Sequence, residues 1–181
     1  MPYAEFKGFN KIARFNREVI VTEKIDGTNG IIHISDDGQQ ILAGSRTQWL
    51  LPQQKDNFGF GRWVAENQKE LFKLGPGYHY GEWWGAGIQR KYGLKEKVFS
   101  LFNVSRWGDA AVRPACCSVV PVLWQGMLCE LNTDAVLARL KETGSIASPG
   151  FMQPEGIVIY HTASGQLFKR TIEGDEGHKG V

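Results

Sequence analysis

Val19-Ile20-Val21-Thr22-Glu23-Lys24-Ile25-Asp26-Gly27-Thr28-Asn29-Gly30-Ile31-Ile32-His33-Ile34-Ser35 reads as two β-rich runs around a glycine-containing turn. Val19 to Lys24 is rich in β-branched residues, which suit the pleated, half-buried surface of a strand. Asp26-Gly27-Thr28-Asn29-Gly30 supplies the turn, and Ile31 to Ser35 the second strand. Asp36-Asp37-Gly38 is a further turn signal, after which Gln40 to Ser45 returns as a third strand. The opening therefore predicts an antiparallel β meander. Downstream, Trp63, Val64, Leu71 and Phe72 recur at near-helical spacing between Phe58 and Lys73, with Gly75-Pro76-Gly77 as the stop. Tyr78 to Trp84, Lys97 to Val104 and Val119 to Trp124 are strand-like, and Pro121 marks the last as an edge. Thr133 is a candidate N-cap for a helix that buries Val136, Leu137 and Leu140 and ends at Gly144. Glu155 to His161 and Gln166 to Thr171 form a final hairpin around Ala163-Ser164-Gly165. Strands dominate and no βαβ alternation appears, so the expected class is α+β with antiparallel sheets and a few helices.

The 181 residues fit one domain spanning 1–181. Hydrophobic residues make up 42% and charged residues 22%, which excludes a disordered tail or a fibrous repeat. No apolar run reaches the length of a membrane span, and Met1 to Arg14 lacks the apolar core of a signal peptide. Three cysteines, two of them adjacent (Cys116, Cys117), make a poor disulfide framework, so a cytoplasmic protein is expected. The net charge of +2 excludes a strongly basic nucleic-acid coat but not a local basic groove.

Several common motifs are missing. There is no GxxxxGK[ST], no HExxH and no cysteine–histidine cluster at zinc spacing. Lys24-Ile25-Asp26-Gly27 is the most informative segment. A lysine ending an apolar strand points toward a cleft, and it becomes a nucleophile when burial and neighbouring cations favour its neutral amine. Gly27 allows a tight turn and a close approach of backbone to ligand. On these four residues alone, a strand-end lysine in a salt bridge beside a turn remains the simpler reading.

An ordered series follows: Ser45-Arg46-Thr47, Tyr80-Gly81-Glu82, Val98-Phe99-Ser100-Leu101-Phe102, Pro154-Glu155-Gly156-Ile157-Val158 and Leu167-Phe168-Lys169. With Glu23-Lys24-Ile25-Asp26-Gly27-Thr28-Asn29 and Gly81-Glu82-Trp83-Trp84-Gly85-Ala86-Gly87-Ile88-Gln89, it resembles the motif ladder of the covalent nucleotidyltransferases, the superfamily of polynucleotide ligases and mRNA capping enzymes. The likeness is greatest to the phage RNA-repair and kinetoplastid RNA-editing ligases, and it covers Glu23 to Lys169. It implies an ATP-grasp-like nucleotidyltransferase catalytic domain. In such enzymes the lysine, here Lys24, takes AMP from ATP as a lysyl-AMP phosphoramidate. The AMP passes to an RNA 5′-phosphate, and a 3′-hydroxyl then displaces it. Mg²⁺ or Mn²⁺ is implied as the divalent metal.

The same resemblance implies roles for single residues. Glu23 matches the position that reads the adenine edge. Asp26, Gly27 and Asn29 belong to the nucleotide-binding turn, and Asn29 favours an RNA ligase over a capping enzyme. Arg46 and Glu82 match ribose-contacting positions. Phe102 matches the adenine-stacking aromatic, with Phe99 as competitor; the two face opposite sides of a regular strand. Glu155 matches the metal-associated carboxylate, and Lys169 a lysine that contacts the α-phosphate.

The final motif departs from the family pattern, which has two lysines two residues apart. Here Thr171 stands at the second position, with Arg170 or Lys179 as candidate substitutes; a register slipped by two would instead put Leu167 at the first. Relatives also carry a C-terminal domain, and this chain is expected to lack one. Contacts to RNA ends or a nicked duplex, with RNA favoured over DNA, would then come from Arg90, Lys91, Lys95 and Lys97, interleaved with Tyr92, and from Lys7, Lys11, Arg14 and Arg17. No membrane partner is expected, and protein partners stay open. The leading expectation is an ATP-dependent RNA ligase, phage-encoded and acting in a host cytoplasm being one setting. A DNA ligase core and a non-sealing nucleotide-binding remnant are the competing readings.

Overall fold

The computed structural model describes residues 5–51 and 56–174. Its strands are β1 (Glu18–Lys24), β2 (Thr28–Ile34), β3 (Ile41–Gly44), β4 (Gly77–Gly85), β5 (Lys97–Leu101), β6 (Cys117–Val119), β7 (Val122–Met127), β8 (Gly156–His161) and β9 (Gln166–Thr171). The helices are α1 (Phe60–Glu66), α2 (Gln68–Leu71), α3 (Val104–Trp107) and α4 (Thr133–Thr143). The strands build two sheets, ordered β7-β1-β8-β9 and β3-β2-β4-β5-β6. Every neighbouring pair is antiparallel except β5 and β6. The architecture is α+β, as expected.

The expected opening meander is corrected. β2 and β3 pair, but β1 lies in the other sheet. Ile25, Asp26 and Gly27 carry the chain from one sheet to the other instead of folding it back as a hairpin. Val119 to Trp124 likewise breaks at Pro121: β6 edges one sheet and β7 edges the other. Proline has no N–H for a ladder, and the Pro121 carbonyl instead accepts from the Glu23 N–H at 2.9 Å. The strand expected to reach Val104 ends at Leu101, and α3 follows it. The single helix expected over Phe58–Lys73 is broken at Asn67, whose φ of −106° and ψ of 12° separate α1 from α2. The N-cap of α4 is Asn132, not Thr133; the Asn132 side chain accepts from the Ala135 N–H at 3.0 Å.

Alternation along each strand divides the faces. Val19, Val21, Ile157 and Ile159 pack against Leu137 and Leu140 of α4. Ile32, Ile34, Trp83, Phe99 and Leu101 pack against Phe60 and Val64 of α1 and Leu71 of α2. Lys24 and Glu82 therefore stand on the two remaining faces. Those faces meet where β1 runs into β2, around the cluster of Ile25, Trp84, Tyr92 and Val120.

Glu23 ties this junction together. Its side chain is buried on the α4 side of its sheet. The carboxylate accepts from the Ser145 hydroxyl, the Ile146 N–H at 2.8 Å and the Ala147 N–H at 2.9 Å. Ser148 donates in turn to the Tyr92 carbonyl at 2.9 Å. A buried carboxylate is tolerable because several donors satisfy it. Glu23→Ala strands those donors without an acceptor, so it should lower the unfolding free energy by at least about 2 kcal/mol, read from urea denaturation. Glu23→Gln, which keeps one acceptor oxygen, should lose less; an alanine variant as stable as wild type contradicts this account.

Candidate active site

Lys24 is the last residue of β1 and pairs with Gly156, the first residue of β8. Gly156 leaves no room for a side chain there, since a Cβ would stand 2.1 Å from the Arg170 carbonyl oxygen. Glu155 precedes it and turns back onto the lysine. Lys24 Nζ lies 2.6 Å from Glu155 Oε2, with the side chains 23% and 11% exposed. Desolvation offsets much of the attraction in so poorly solvated a pair, but removing one partner would leave the other charge buried and unpaired.

The turn after β1 brings up the second carboxylate. Gly27 donates its N–H to Glu82 Oε1 at 3.0 Å, and Asn29 Nδ2 donates to Glu82 Oε2 at 3.3 Å. Only glycine fits at position 27: a Cβ would meet the Trp83 carbonyl oxygen at 2.5 Å and Trp84 Cβ at 2.7 Å. Burial pushes the Glu82 carboxyl from 4.5 up to about 7. The charges of Glu155 and Asp26 add to the rise, while Lys24 and the Gly27 N–H oppose it. A cluster of acidic groups thus surrounds one ammonium at the mouth of two sheets. Asp26 is held apart from Lys24: Arg90 Nε contacts its Oδ2 at 3.0 Å, and its N–H donates to the Tyr92 hydroxyl at 2.8 Å.

The expected site residues are not all brought to one place. Lys24, Asp26, Gly27, Asn29, Glu82 and Glu155 come together at the junction. Lys169 is exposed on β9 and pairs with Val158, which also pairs with Thr22 of β1. Lys169 and Thr171 therefore share the sheet face that carries Lys24, with Thr171 in line with Lys24 across Gly156. Phe102 follows β5, donates its N–H to the Tyr80 carbonyl at 2.9 Å, and lies on the Glu82 side, 39% exposed. Phe99 points the other way, fully buried among Phe60, Trp63 and Trp83. Arg46 sits in the exposed loop after β3.

Three expectations need correction. The Glu23 side chain does not face the Lys24 side of the sheet, because successive residues of a strand alternate; its acceptor oxygens are taken by residues 145–147. Arg90 is not an open cation. It bridges Asp26 and Glu173, the latter at 3.3 Å, while Lys91, Lys95 and Lys97 are exposed. Arg170 does not substitute for a second final-motif lysine, since it turns to Thr133 and Asp134 at the start of α4. Lys179 lies outside the described residues.

Sequence reasoning missed Tyr92, Ser145 and Ser148 as supports of the site. Tyr92 turns inward because Lys91 and Tyr92 both adopt positive φ, 59° and 48°, a conformation with no clear signature in side-chain type. Ser145 and Ser148 belong to no motif. Among the described residues no group of three histidine, cysteine or acidic side chains could by itself hold a metal ion. Glu155 and Glu82 could instead supply one or two carboxylates to a hard cation held also by phosphate oxygens and water. A concavity of about 400 Å³ bordered by Ile20, Val104 and Pro121, and one of about 260 Å³ bordered by Arg90, Lys141 and Glu173, do not include Lys24.

A family model described as RNA ligase matches residues 17–171. A search of curated proteins found no match. Among solved structures, a lysine-to-alanine variant of Naegleria gruberi RNA ligase with ATP and Mn is similar at 18% identity and a TM-score of 0.63, over 84% of this chain and 48% of that one. A glutamate-to-alanine variant of the same ligase, with AMP and Mn, is similar at 19% identity and a TM-score of 0.64, over 86% and 49%. The chain thus spans about half the length of these structures, and the likeness shows a common fold.

Two measurements probe the geometry. Between pH 4.5 and about 7 the folded protein holds a proton on Glu82 that the unfolded chain has released, so stability falls as pH rises through that window. Glu82→Gln should flatten this slope, whose full size is on the order of 3 kcal/mol; urea titrations of both proteins across the window decide it, and parallel curves count against the assignment. Gly27→Ala should destabilise by about 1–3 kcal/mol through overpacking against Trp83 and Trp84, read from thermal melts.

Proposed function

The chain belongs to the RNA ligase family across residues 17–171, and from that premise we propose that it is an ATP-dependent RNA ligase acting through a covalent lysyl-AMP at Lys24. The observation that carries the reading is the 2.6 Å contact of Lys24 with Glu155, at a junction that also holds Glu82 and the Gly27 N–H. A lysine nucleophile must shed a proton before it attacks. Glu155 lies within reach of that proton. The freed amine attacks the α-phosphorus of ATP: the P–N bond forms, the bond to the bridging oxygen of the β-phosphate breaks, and pyrophosphate departs with the electron pair. Covalent capture divides a difficult exchange into two easier ones.

Glu82 accepts a ribose hydroxyl, and its partial protonation near neutral pH lets it donate as well. Phe102 offers a ring to the adenine, and Arg46 reaches ribose oxygens from its loop. Lys169, on the Lys24 face of its sheet, meets the α-phosphate. Glu155 would hold a divalent cation together with phosphate oxygens, and bound Mg²⁺ or Mn²⁺ supplies charge neutralisation for the leaving pyrophosphate. The AMP then passes to an RNA 5′-phosphate and is displaced by a 3′-hydroxyl.

Incubation with ATP and a divalent metal should add one adenylate to the intact mass, acid-labile and absent from Lys24→Ala. An unmodified wild type, or an adduct that persists on Lys24→Ala, overturns the proposal. Glu155→Ala should slow adduct formation at least about 100-fold. Sealing assays with RNA or DNA at the 3′-hydroxyl side of a nick separate an RNA ligase from a DNA ligase core. Adenylylation without any sealing would mark a remnant.

A further inference from the structure

Beyond the nucleotide site, the same face of the β3-β2-β4-β5-β6 sheet carries uncovered aromatic rings. Tyr80 and Tyr78 stand two and four residues before Glu82 on β4, so alternation places all three on one side. The Tyr78 and Tyr80 rings are 6.2 Å apart and nearly parallel, at 12°. Trp49 continues the row, 6.3 Å from Tyr78 at 26°, and His33 of β2 lies 4.4 Å from Tyr78. Tyr78 is 55% exposed, Tyr80 51% and Trp49 37%. Gly44 seats the indole, since a Cβ there would press within 3.1 Å of Trp49 Cε3. Large aromatics are ordinarily covered, and a contiguous uncovered row of them marks a contact surface.

We propose that Tyr80, Tyr78, Trp49 and His33 form a stacking platform for the bases of a single-stranded RNA segment leading to the Lys24 site. The proposal rests on the ligase reading and extends it to the grip on substrate. Nucleobases fit this face better than a protein surface for three reasons. The row is continuous with Glu82 and with Phe102, whose N–H bonds to Tyr80. Its exposed members are mostly flat rings, with Leu42 beside His33 the exposed aliphatic, and rings stack on any base. The loop that ends at Trp49 carries the exposed Arg46, a cation available to a nearby phosphate. The Asp36-Asp37 turn closes the β2–β3 hairpin beyond His33 and sets a limit to a polyanion's path.

The test is binding of a short oligouridylate, and of an abasic oligomer with the same phosphates, to wild type, Tyr78→Ala, Trp49→Ala and Tyr78→Phe, titrated at several salt concentrations. Wild type should prefer the oligomer with bases. Each alanine variant should lose about 10-fold or more in affinity for it while keeping the salt slope, since phosphate contacts are untouched. Tyr78→Phe should bind as wild type, and thermal melts check that the alanine variants are folded. Equal binding of the abasic oligomer, unchanged affinity in both alanine variants (the result a protein-docking face would give), or a loss carried wholly by the salt slope each overturns the platform. ATP-dependent adenylylation, followed in the same proteins, should be unchanged in Tyr78→Ala and Trp49→Ala. An adduct with normal oligouridylate binding in the variants leaves the ligase reading standing and removes the platform. Base-dependent binding that the variants lose, without any adduct on wild type, does the reverse.

Discussion

The alternation of Glu23 and Lys24 at the end of β1 is the constraint on which the site depends. One carboxylate goes to the α4 side and is satisfied by residues 145–147; the neighbouring ammonium goes to the other side and meets Glu155. Neither arrangement survives a slip of one residue, which would exchange the two faces. Such a slip would bury the ammonium among backbone N–H donors and leave the carboxylate facing Glu155. Both alternatives are electrostatically costly, so the placement of Lys24 is enforced from behind by a residue on the opposite face of the sheet.

The second organising feature is an excess of negative charge around one cation. Glu82, Glu155 and Asp26 all act on this corner, and it is tolerable because each is answered differently. Glu155 takes Lys24, Asp26 takes Arg90, and Glu82 shifts toward its neutral form. A divalent cation bound with nucleotide phosphates would change this balance, since it adds charge of the sign the carboxylates lack. The same residues that hold the corner together are therefore suited to respond to a polyanion and its metal.

The sequence made the grouping of the candidate residues more legible than the topology. Lys24, Asn29, Glu82 and Glu155 stand in an ordered ladder whose spacing survives in one chain, and the structure brings them to one corner. Strand identity was also readable, because β-branched alternation is a local property; β9 has the bounds expected of it. What could not be read was which strands pair. Ile25-Asp26-Gly27 looks like a hairpin turn, yet it is a crossing between sheets, and that depends on packing of Ile25 with Trp84, Tyr92 and Val120 from distant parts of the chain. Arg90 and Tyr92 depart from the expectation for a related reason. A basic, aromatic stretch reads as surface until two consecutive left-handed residues turn its ring inward.

Pro121 joins strands that edge different sheets and accepts from the Glu23 N–H. The segment from Cys117 to Met127 is thus a strap stitched to both layers at one margin of the junction, directly behind the lysine. Relative rotation of the two layers there would have to tear ladder bonds on β6 or β7. Any opening of the corner is therefore pivoted at that margin, and the widest excursion falls at the opposite edges, β9 of one sheet and β3 of the other.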